Sequence, residues 1–360
     1  MFCTQQTTLE RVSPHFCQKE SLTIRVIKLK IINTIFLFLL MDEYSYGIII
    51  YKKDVEYEYL VLLRSEGWLD FPKGHIEKNE DEFDAAIRET FEETNIMIDK
   101  NDIEAFFSYT MNYSFNKGDE IINKHTKMFL AEYNNNEIKI SKEHVSYEWL
   151  NYHQLLRRLR YINQKDMVYY AEKYLTRRDA INEINVEYMK LPDMIKTWRL
   201  SRNFVPGEGN YNAEIVFVGQ APGKTEDEMK RPFVGRSGRI LNSMLSMINI
   251  NRESVYITSV VQFYPEKNRV PDKSEIDACF PYLKRQLDVI SPKIIVILGR
   301  IAAQSLLGIN DIKNNHGTII NKRYFITYHP AAALRSKAVL GKMENDFIKL
   351  KNEINRIKNQ

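Results

Sequence analysis

Residues Gly74–Ile96 read GHIEKNEDEFDAAIRETFEETNI, and the order of charges in this stretch decides how the first half of the chain folds. Gly74 is followed after five residues by Glu80, and after seven more by Arg88 and Glu89, with Glu92 and Glu93 next. A turn containing Pro72 and Gly74 leads into a predicted helix over about Asp81–Thr94. On that helix Glu89, Glu92 and Glu93 stand at i, i+3 and i+4, which places their Cβ atoms about 5–6 Å apart on one face. Three carboxylates so close repel one another unless a cation sits among them. A solvated acidic face would account for the glutamates but leaves Gly74 and Arg88 unexplained. Hard oxygen ligands of this kind suit Mg²⁺ or Mn²⁺, which bridge to phosphate oxygens while a pyrophosphate linkage is attacked by water, with one carboxylate left as a base. The opposite stripe, Phe83, Ala86, Ile87 and Thr90, is expected to anchor the helix on a sheet.

Working outward, Tyr46–Tyr51 and Tyr57–Arg64 read as a hairpin, Ala105–Tyr113 and Thr126–Tyr133 as further strands, and about Tyr152–Leu175 as helices. The charged positions of the central stretch reproduce the Nudix box GX5EX7REUXEEXGU, and the chain resembles that family. Asn95 stands where the box has glycine, and Asn is the residue next best able to take the left-handed conformation of a helix stop. WLDFPKGH (Trp68–His75) and ISKEHVSYEWL (Ile140–Leu150) look like segments of the asymmetric dinucleoside tetraphosphate hydrolases, a resemblance covering about residues 44–175. It implies cleavage of diadenosine tetraphosphate into unequal nucleotides, with Glu92 and Glu93 catalytic and Glu89, Glu92 and Glu93 holding the metal. It also implies substrate contacts from Lys73, Gly74 and Lys124. Tyr113 is an adenine stacker or a packing residue, and Glu143 a further ligand or base.

From Arg177 to Leu200 the pattern is charged and helical, without glycine, and the domain junction is expected near Pro206 and Gly207. The grammar then becomes strand, turn, helix: Ile215–Val218 before Gly219, Val255–Val261 before a loop, Ile294–Leu298 before Gly299. Such a pattern predicts a parallel sheet covered on both faces, with ligands at the carboxyl ends of its strands. GQAPG (Gly219–Gly223), RPFVGRSG (Arg231–Gly238), YITSVV (Tyr256–Val261), PEKNR (Pro265–Arg269), IVILGR (Ile295–Arg300) and TYHPAAALR (Thr327–Arg335) are similar, in this order, to the family 4 uracil-DNA glycosylases over about residues 190–355. That resemblance implies a base pocket of Gly219, Gln220, Phe233, Ser259 and His329. Phe233 would stack a flipped base and His329 would donate to its oxygen. Leu334 would be a wedge, and Arg335, Lys337, Arg236, Arg239 and Lys342 would meet DNA phosphates.

Two polar positions depart from the active pattern. Gln220 replaces a glutamate that positions water and faces the cationic sugar; glutamine supplies neither charge nor basicity. Ser259 replaces an asparagine that reads the uracil edge. The resembling family also holds a four-iron four-sulfur cluster through four cysteines, where this chain has Ile195, Trp198, Phe263 and Cys279. One thiolate cannot hold such a cluster, so none is expected, and a hydrophobic plug with Cys279 as a buried thiol is expected instead.

The 360 residues suit two domains, and 44% apolar with 27% charged residues is ordinary for a globular chain. A net charge of +4 is too small to make the whole chain a nucleic-acid binder. Cys3, Cys17 and Cys279 fit no disulfide framework or zinc knuckle, which points to a reducing, cytoplasmic setting. Ile31–Leu40 is apolar after Arg25, Lys28 and Lys30, but about half the length that spans a bilayer. Residues 1–40 are therefore read either as a targeting segment or, preferably, as an unstructured extension before a start at Met41. The expected fold is an N-terminal mixed-sheet α/β/α sandwich (41–176), a helical connector (177–200) and a C-terminal parallel-sheet α/β/α domain (201–360). Expected partners are dinucleoside polyphosphates and DNA, and no membrane. Three readings stay open for the second half: a weak or altered glycosylase, a working uracil-DNA glycosylase, or a non-catalytic nucleic-acid-binding module.

Overall fold

Apolar strands buried on both faces build two sheets in the computed structural model, which describes residues 40–118, 120–195 and 198–358. The segment read as an extension, with Cys3 and Cys17, lies outside the described residues apart from Leu40. The first sheet comprises β1 (Leu40–Lys53), β2 (Tyr57–Arg64), β3 (Leu69–Asp70), β4 (Lys73–His75), β5 (Tyr109–Lys117), β6 (Glu120–Glu132) and β7 (His144–Asn151). Its order is β3-β2-β1-β6-β5, with β4 on β1 and β7 on β2; β1 and β6 run parallel and the other pairs antiparallel. Ile48, Ile50, Leu60 and Phe129 face α1 (Glu82–Thr94), which meets them with Phe83, Ala86 and Ile87. Ile49, Tyr59, Val61 and Met128 face the other way, onto α2 (Tyr152–Arg158) and α3 (Ile162–Met189). This is the expected mixed-sheet sandwich. The strand expected over Ala105–Tyr113 begins only at Tyr109. The apolar residues before it turn inward instead, and Phe107 packs 5.2 Å from Tyr174 of α3.

After the short α4 (Leu191–Met194) comes β8 (Leu200–Phe204), which pairs with β12 (Phe263–Pro265) in a two-stranded ribbon. The helical pattern expected as far as Leu200 stops at Met194, and Leu200 starts a strand instead, because its pairing partner is distant in sequence and leaves no local signal. The second sheet is ordered β14-β15-β13-β10-β11-β9, from β9 (Glu208–Gly209), β10 (Ile215–Gly219), β11 (Tyr256–Ser259), β13 (Ile294–Leu298), β14 (Thr318–Ile320) and β15 (Tyr324–Thr327). Its four inner strands are parallel and its two edges antiparallel. Both faces are buried, so the strands are continuously apolar, as parallel sheets require. Val216, Val218, Ile295 and Ile297 meet α7 (Lys273–Ile290) and α8 (Arg300–Leu307); Phe217, Val296 and Phe325 meet α6 (Arg236–Met247) and α11 (Lys337–Lys358). The short α5 (Lys224–Met229), α9 (Ile312–Asn315) and α10 (Pro330–Ala333) sit in the loops. Among the described residues no helix is long and apolar enough to cross a membrane.

The two cores share α3. Met167, Val168, Ala171, Tyr174 and Leu175 are buried in the first, and Ile181 and Tyr188 in the second. Met167, Ala171, Tyr174, Ile181 and Tyr188 recur at intervals of three, four or seven and so fall on one stripe, with Val168 and Leu175 beside it. Polar anchors flank it: Arg178 bonds Glu104 and the Tyr51 hydroxyl, and Asn212 Nδ2 donates to the Tyr170 carbonyl at 2.8 Å. Gln286 Nε2 donates to Asn185 Oδ1 at 2.8 Å, within a buried amide chain that continues to Gln262. A division at 176/177 falls inside this helix.

Tyr188 is wholly buried, stacked on Tyr282 at 4.4 Å and edge-on to Phe204 and Phe263. Tyr188→Ala is expected to lower the unfolding free energy in urea by about 3–5 kcal/mol, as large aromatic truncations do. Val186→Ala, on the exposed side of the same helix, is expected to change it by less than about 0.5 kcal/mol.

Candidate active sites

Helix α1 starts at Asp81, whose carboxylate caps the amides of Phe83 and Asp84, and stops at Asn95, left-handed at φ 62°. Asn95 thus fills the glycine position, and its side chain donates to the Glu137 carbonyl at 3.1 Å. Arg88 organises the helix face: its guanidinium donates to Glu80 Oε1 at 2.7 Å, to Glu89 Oε1 at 2.9 Å, to Glu92 Oε2 at 3.3 Å and to the His75 carbonyl at 2.8 Å. Gly74 is fixed by contact, because a Cβ there would lie 2.0 Å from the Glu89 carboxyl carbon. Only a bare backbone leaves that cradle open to Glu89.

Glu93 turns away from Arg88 and is buried, accepting from the Lys73 amide at 3.2 Å with Arg64 Nη2 4.0 Å away. Burial pushes its carboxyl up to about 7, against the pull of Lys73 and Arg64. The three glutamates therefore share the helix face but not one point. Among the described residues no three His, Cys, Asp or Glu side chains converge as a ready-made ion site. Their hard donors and the Gly74 cradle nonetheless fit an oxygen-seeking divalent ion.

Beside this face lies a group of cations. Asp70 accepts from Arg64 Nε at 3.1 Å, from Lys73 Nζ and from Gln164 Nε2 at 3.0 Å; burial pushes its carboxyl up, but Lys73, Arg64 and the Phe71 amide outweigh it and hold the carboxyl below the usual range. Lys124 Nζ lies 3.3 Å from His75 Nε2 and 3.8 Å from Glu43, and burial lowers its pKa. Tyr113 is Lys124's partner across the β5–β6 pair and is exposed. Glu143 is exposed. Arg64, Asp70 and His144 were not read from the sequence. His144 is Arg64's cross-strand neighbour, buried, with Nδ1 3.2 Å from Ser141 Oγ and, among the described residues, no hydrogen-bond partner at Nε2.

The second site stands at the carboxyl ends of β10, β11 and β15, and the structure brings the expected pocket residues together there. Gly219 is Ser259's register partner, and a Cβ on Gly219 would lie 2.6 Å from the Phe233 ring and 3.3 Å from Ser259 Oγ. The Phe233 ring is 5.9 Å from that of His329. Gln220 follows β10, its carbonyl accepting from Val261 at 3.1 Å. His329 crowds Gly299, where φ is +89° and a Cβ would lie 2.7 Å from the histidine Cβ. Its Nδ1 accepts from the Ala331 amide at 3.1 Å, so the neutral ring carries its proton on Nε2. Burial, reinforced by Arg335, holds its pKa down at about 4. Leu334 and Arg335 are exposed just beyond, and Arg236, Arg239, Lys337 and Lys342 are exposed as well.

Phe233 is left-handed, at φ 52°, and two further residues hold it so. Glu226 accepts from the amides of Gly223 (3.1 Å), Val234 (3.1 Å) and Gly235 (2.7 Å), tying the GQAPG loop to the RPFVG loop. Arg252 donates to the carbonyls of Pro232 at 2.8 Å and Phe233 at 3.3 Å. Glu226, three residues past Gly223, has capping-box spacing, a signal that could have revealed it; Arg252 has none.

The four positions of the expected plug converge. Cys279 and Phe263 are wholly buried, Ile195 and Trp198 pack on the same cluster, and Trp198 meets Phe263 edge-on at 5.1 Å. Burial pushes the Cys279 thiol up to about 12. Such a thiol is neither ligand nor nucleophile, and the surrounding rings do not fit an iron-sulfur cluster.

Residues 41–171 match the NUDIX domain, and residues 206–355 match the uracil DNA glycosylase superfamily. The chain belongs to both families, one in each half. Its relatives include the type-4 uracil-DNA glycosylase of Sulfurisphaera tokodaii, 42% identical over 186 residues, spanning 48% of this chain and 84% of that protein. The asymmetrical bis(5'-nucleosyl)-tetraphosphatase of Caenorhabditis elegans is 38% identical over 108 residues, spanning 29% of this chain and 75% of that protein. A solved C. elegans Ap4A hydrolase binary complex is 27% identical, covering 35% of this chain and 92% of that one, with a TM-score of 0.31.

The His329 ring sets a pH dependence. Its folded pKa of about 4 lies below the ordinary 6.5, so the unfolded chain binds the proton more readily. Stability is expected to fall as pH is lowered from about 6.5 to about 4. Thermal melts across that window should show a shallower slope for His329→Gln; identical slopes would contradict the buried neutral ring.

Proposed function

We propose that the N-terminal half is a metal-dependent dinucleoside polyphosphate hydrolase acting on diadenosine tetraphosphate. The observation that carries this reading is the Gly74 cradle around Glu89 on a helix face that also bears Glu92 and Glu93, beside the cations Arg64, Lys73 and Lys124. Glu89, Glu92 and Glu93 would hold Mg²⁺ or Mn²⁺, displacing Arg88 from its outer partner Glu92. The ion, when bound, neutralises phosphate charge and acidifies water. Lys73 and Lys124 bind and orient the phosphates, Tyr113 stacks an adenine from the sheet edge, and Glu92 or Glu93 takes the water's proton.

The C-terminal half, in this proposal, is a cluster-free glycosylase-like module. Phe233 stacks a flipped base, His329 donates from Nε2 to its oxygen, and Leu334 and Arg335 engage the DNA. Gln220 and Ser259 supply weaker contacts than the charged and amide groups of the related enzymes, which alters rate and base choice. The chain would join nucleotide clearance to DNA repair in the cytoplasm. A working uracil-DNA glycosylase is the second reading, favoured by the closeness of Phe233 and His329 and by the neutral donor state of the histidine.

Two assays run in parallel test both halves. With Mg²⁺ or Mn²⁺, diadenosine tetraphosphate should yield AMP and ATP, and Glu93→Gln should abolish that without touching DNA chemistry. Absence of metal-dependent hydrolysis of any nucleoside polyphosphate would remove the first proposal. Base release from uracil-containing DNA should be slow, lost in His329→Ala, and raised roughly a hundredfold in Gln220→Glu, the scale of one charged transition-state partner. Fast release by the unaltered chain, dependent on His329, would establish the second reading instead.

A further inference from the structure

Beside the base pocket lies a histidine–carboxylate pair that the pocket itself does not use. Asp346 of α11 is 1% exposed. Its two oxygens face His316 Nδ1 at 2.9 and 3.0 Å, and Oδ2 also accepts from Thr327 Oγ1 at 2.8 Å. A carboxylate this deeply buried is costly without a hydrogen-bonded countercharge. Nδ1–H donation to Asp346 leaves Nε2 as the polar atom on the free edge of the His316 ring, whose side chain keeps 20% exposure.

His316 precedes β14, whose first residue Thr318 pairs with Ile326 of β15. It therefore stands at the carboxyl end of β15, the end from which His329 projects. Its ring packs 4.6 Å from that of Tyr328, the residue next to His329. Lys342 Nζ lies 5.9 Å from the centre of the same tyrosine ring. Lys349 Nζ reaches the His316–Gly317 turn, where a Cβ on Gly317 would lie 3.1 Å from it and 2.4 Å from Asp346 Oδ1. Lys342, Asp346 and Lys349 are spaced i, i+4, i+7, so one face of α11 brings Lys342 over the Tyr328 ring and Lys349 to the His316–Gly317 turn, on either side of the carboxylate. Against the single carboxylate of Asp346, the two lysine ammonium groups leave the spot net positive. A mere staple between α11 and the sheet edge would need neither lysine nor an outward ring nitrogen.

We propose that His316, Lys342 and Lys349 form a binding site for a backbone phosphate of the DNA strand entering the pocket, with Asp346 as the positioning residue that aims the ring. The proposal rests on the reading of the C-terminal half as a DNA-binding module and deepens it. The bound phosphate accepts from the two ammonium groups and lies against the outer edge of the His316 ring that Asp346 holds in place. The contact fixes the strand's register rather than its sequence.

Fluorescence anisotropy of the full chain with a labelled uracil-containing oligonucleotide, over a salt series, tests this. His316→Gln and the surface double variant Lys342→Gln/Lys349→Gln are each expected to weaken binding about threefold to tenfold whatever the flanking sequence. Each removed lysine charge should reduce the log–log salt slope by about one. Diadenosine tetraphosphate hydrolysis and the melting profile report that each variant is folded. Folded variants that bind with the unaltered affinity and slope overturn the site; if Arg335→Gln weakens binding while these do not, the DNA-binding reading survives without it. No binding by the unaltered chain at low salt overturns both.

Discussion

The stripe of α3 that faces both cores constrains everything else in the molecule. Its 28 residues contain no glycine or proline, so no local feature relieves a conflict between the two sheets it must cover. Tyr170, Tyr174 and Arg178 fit the first sheet, and Asn185 and Tyr188 the second. A rotation of the helix that improved one set would pull the other out. The two family domains are here completed by one continuous element, which is why the junction carries buried polar bonds rather than a solvated linker.

Both sites rest on the same device, a charged side chain spent on holding backbone. Arg88 ties the helix to the His75 carbonyl while neutralising Glu80, Glu89 and Glu92. Glu226 and Arg252 fix the amides and carbonyls around Phe233, keeping its ring against Gly219 in a backbone conformation that a phenylalanine rarely adopts. His329 combines a structural bond with its expected role, since its Nδ1 caps the turn at Ala331; that bond is also what leaves the proton on Nε2, so cap and donor are one arrangement.

Much of this was legible in the chain of residues because the signals were local. The i, i+3, i+4 glutamates, the Asn95 stop and the stripe of Phe83, Ala86 and Ile87 all depend on one helix and appear in the structure where periodicity places them. The strand-and-glycine rhythm after residue 210 likewise announced the parallel sheet. What could not be read has partners far away in sequence. Asp70 finds Gln164 across 94 residues, His316 finds Asp346 across 30, and β8 finds β12. The strand edge at Ala105 was misjudged because Phe106 and Phe107 have strand composition but plug the core from a turn. The plug of Trp198, Phe263 and Cys279 was expected from residue types, whereas Tyr188, which fills its centre from α3, was not.

Equilibrium unfolding of the full chain in urea tests the shared helix most directly. Hydrogen-exchange protection can be followed separately at Ile49 in β1 and at Val218 in β10, each buried in its own sheet. One coincident transition at both strands, with a single midpoint and slope, is the result expected if α3 completes both cores. Two separated transitions, with the second sheet intact while the first is unfolded, would contradict it.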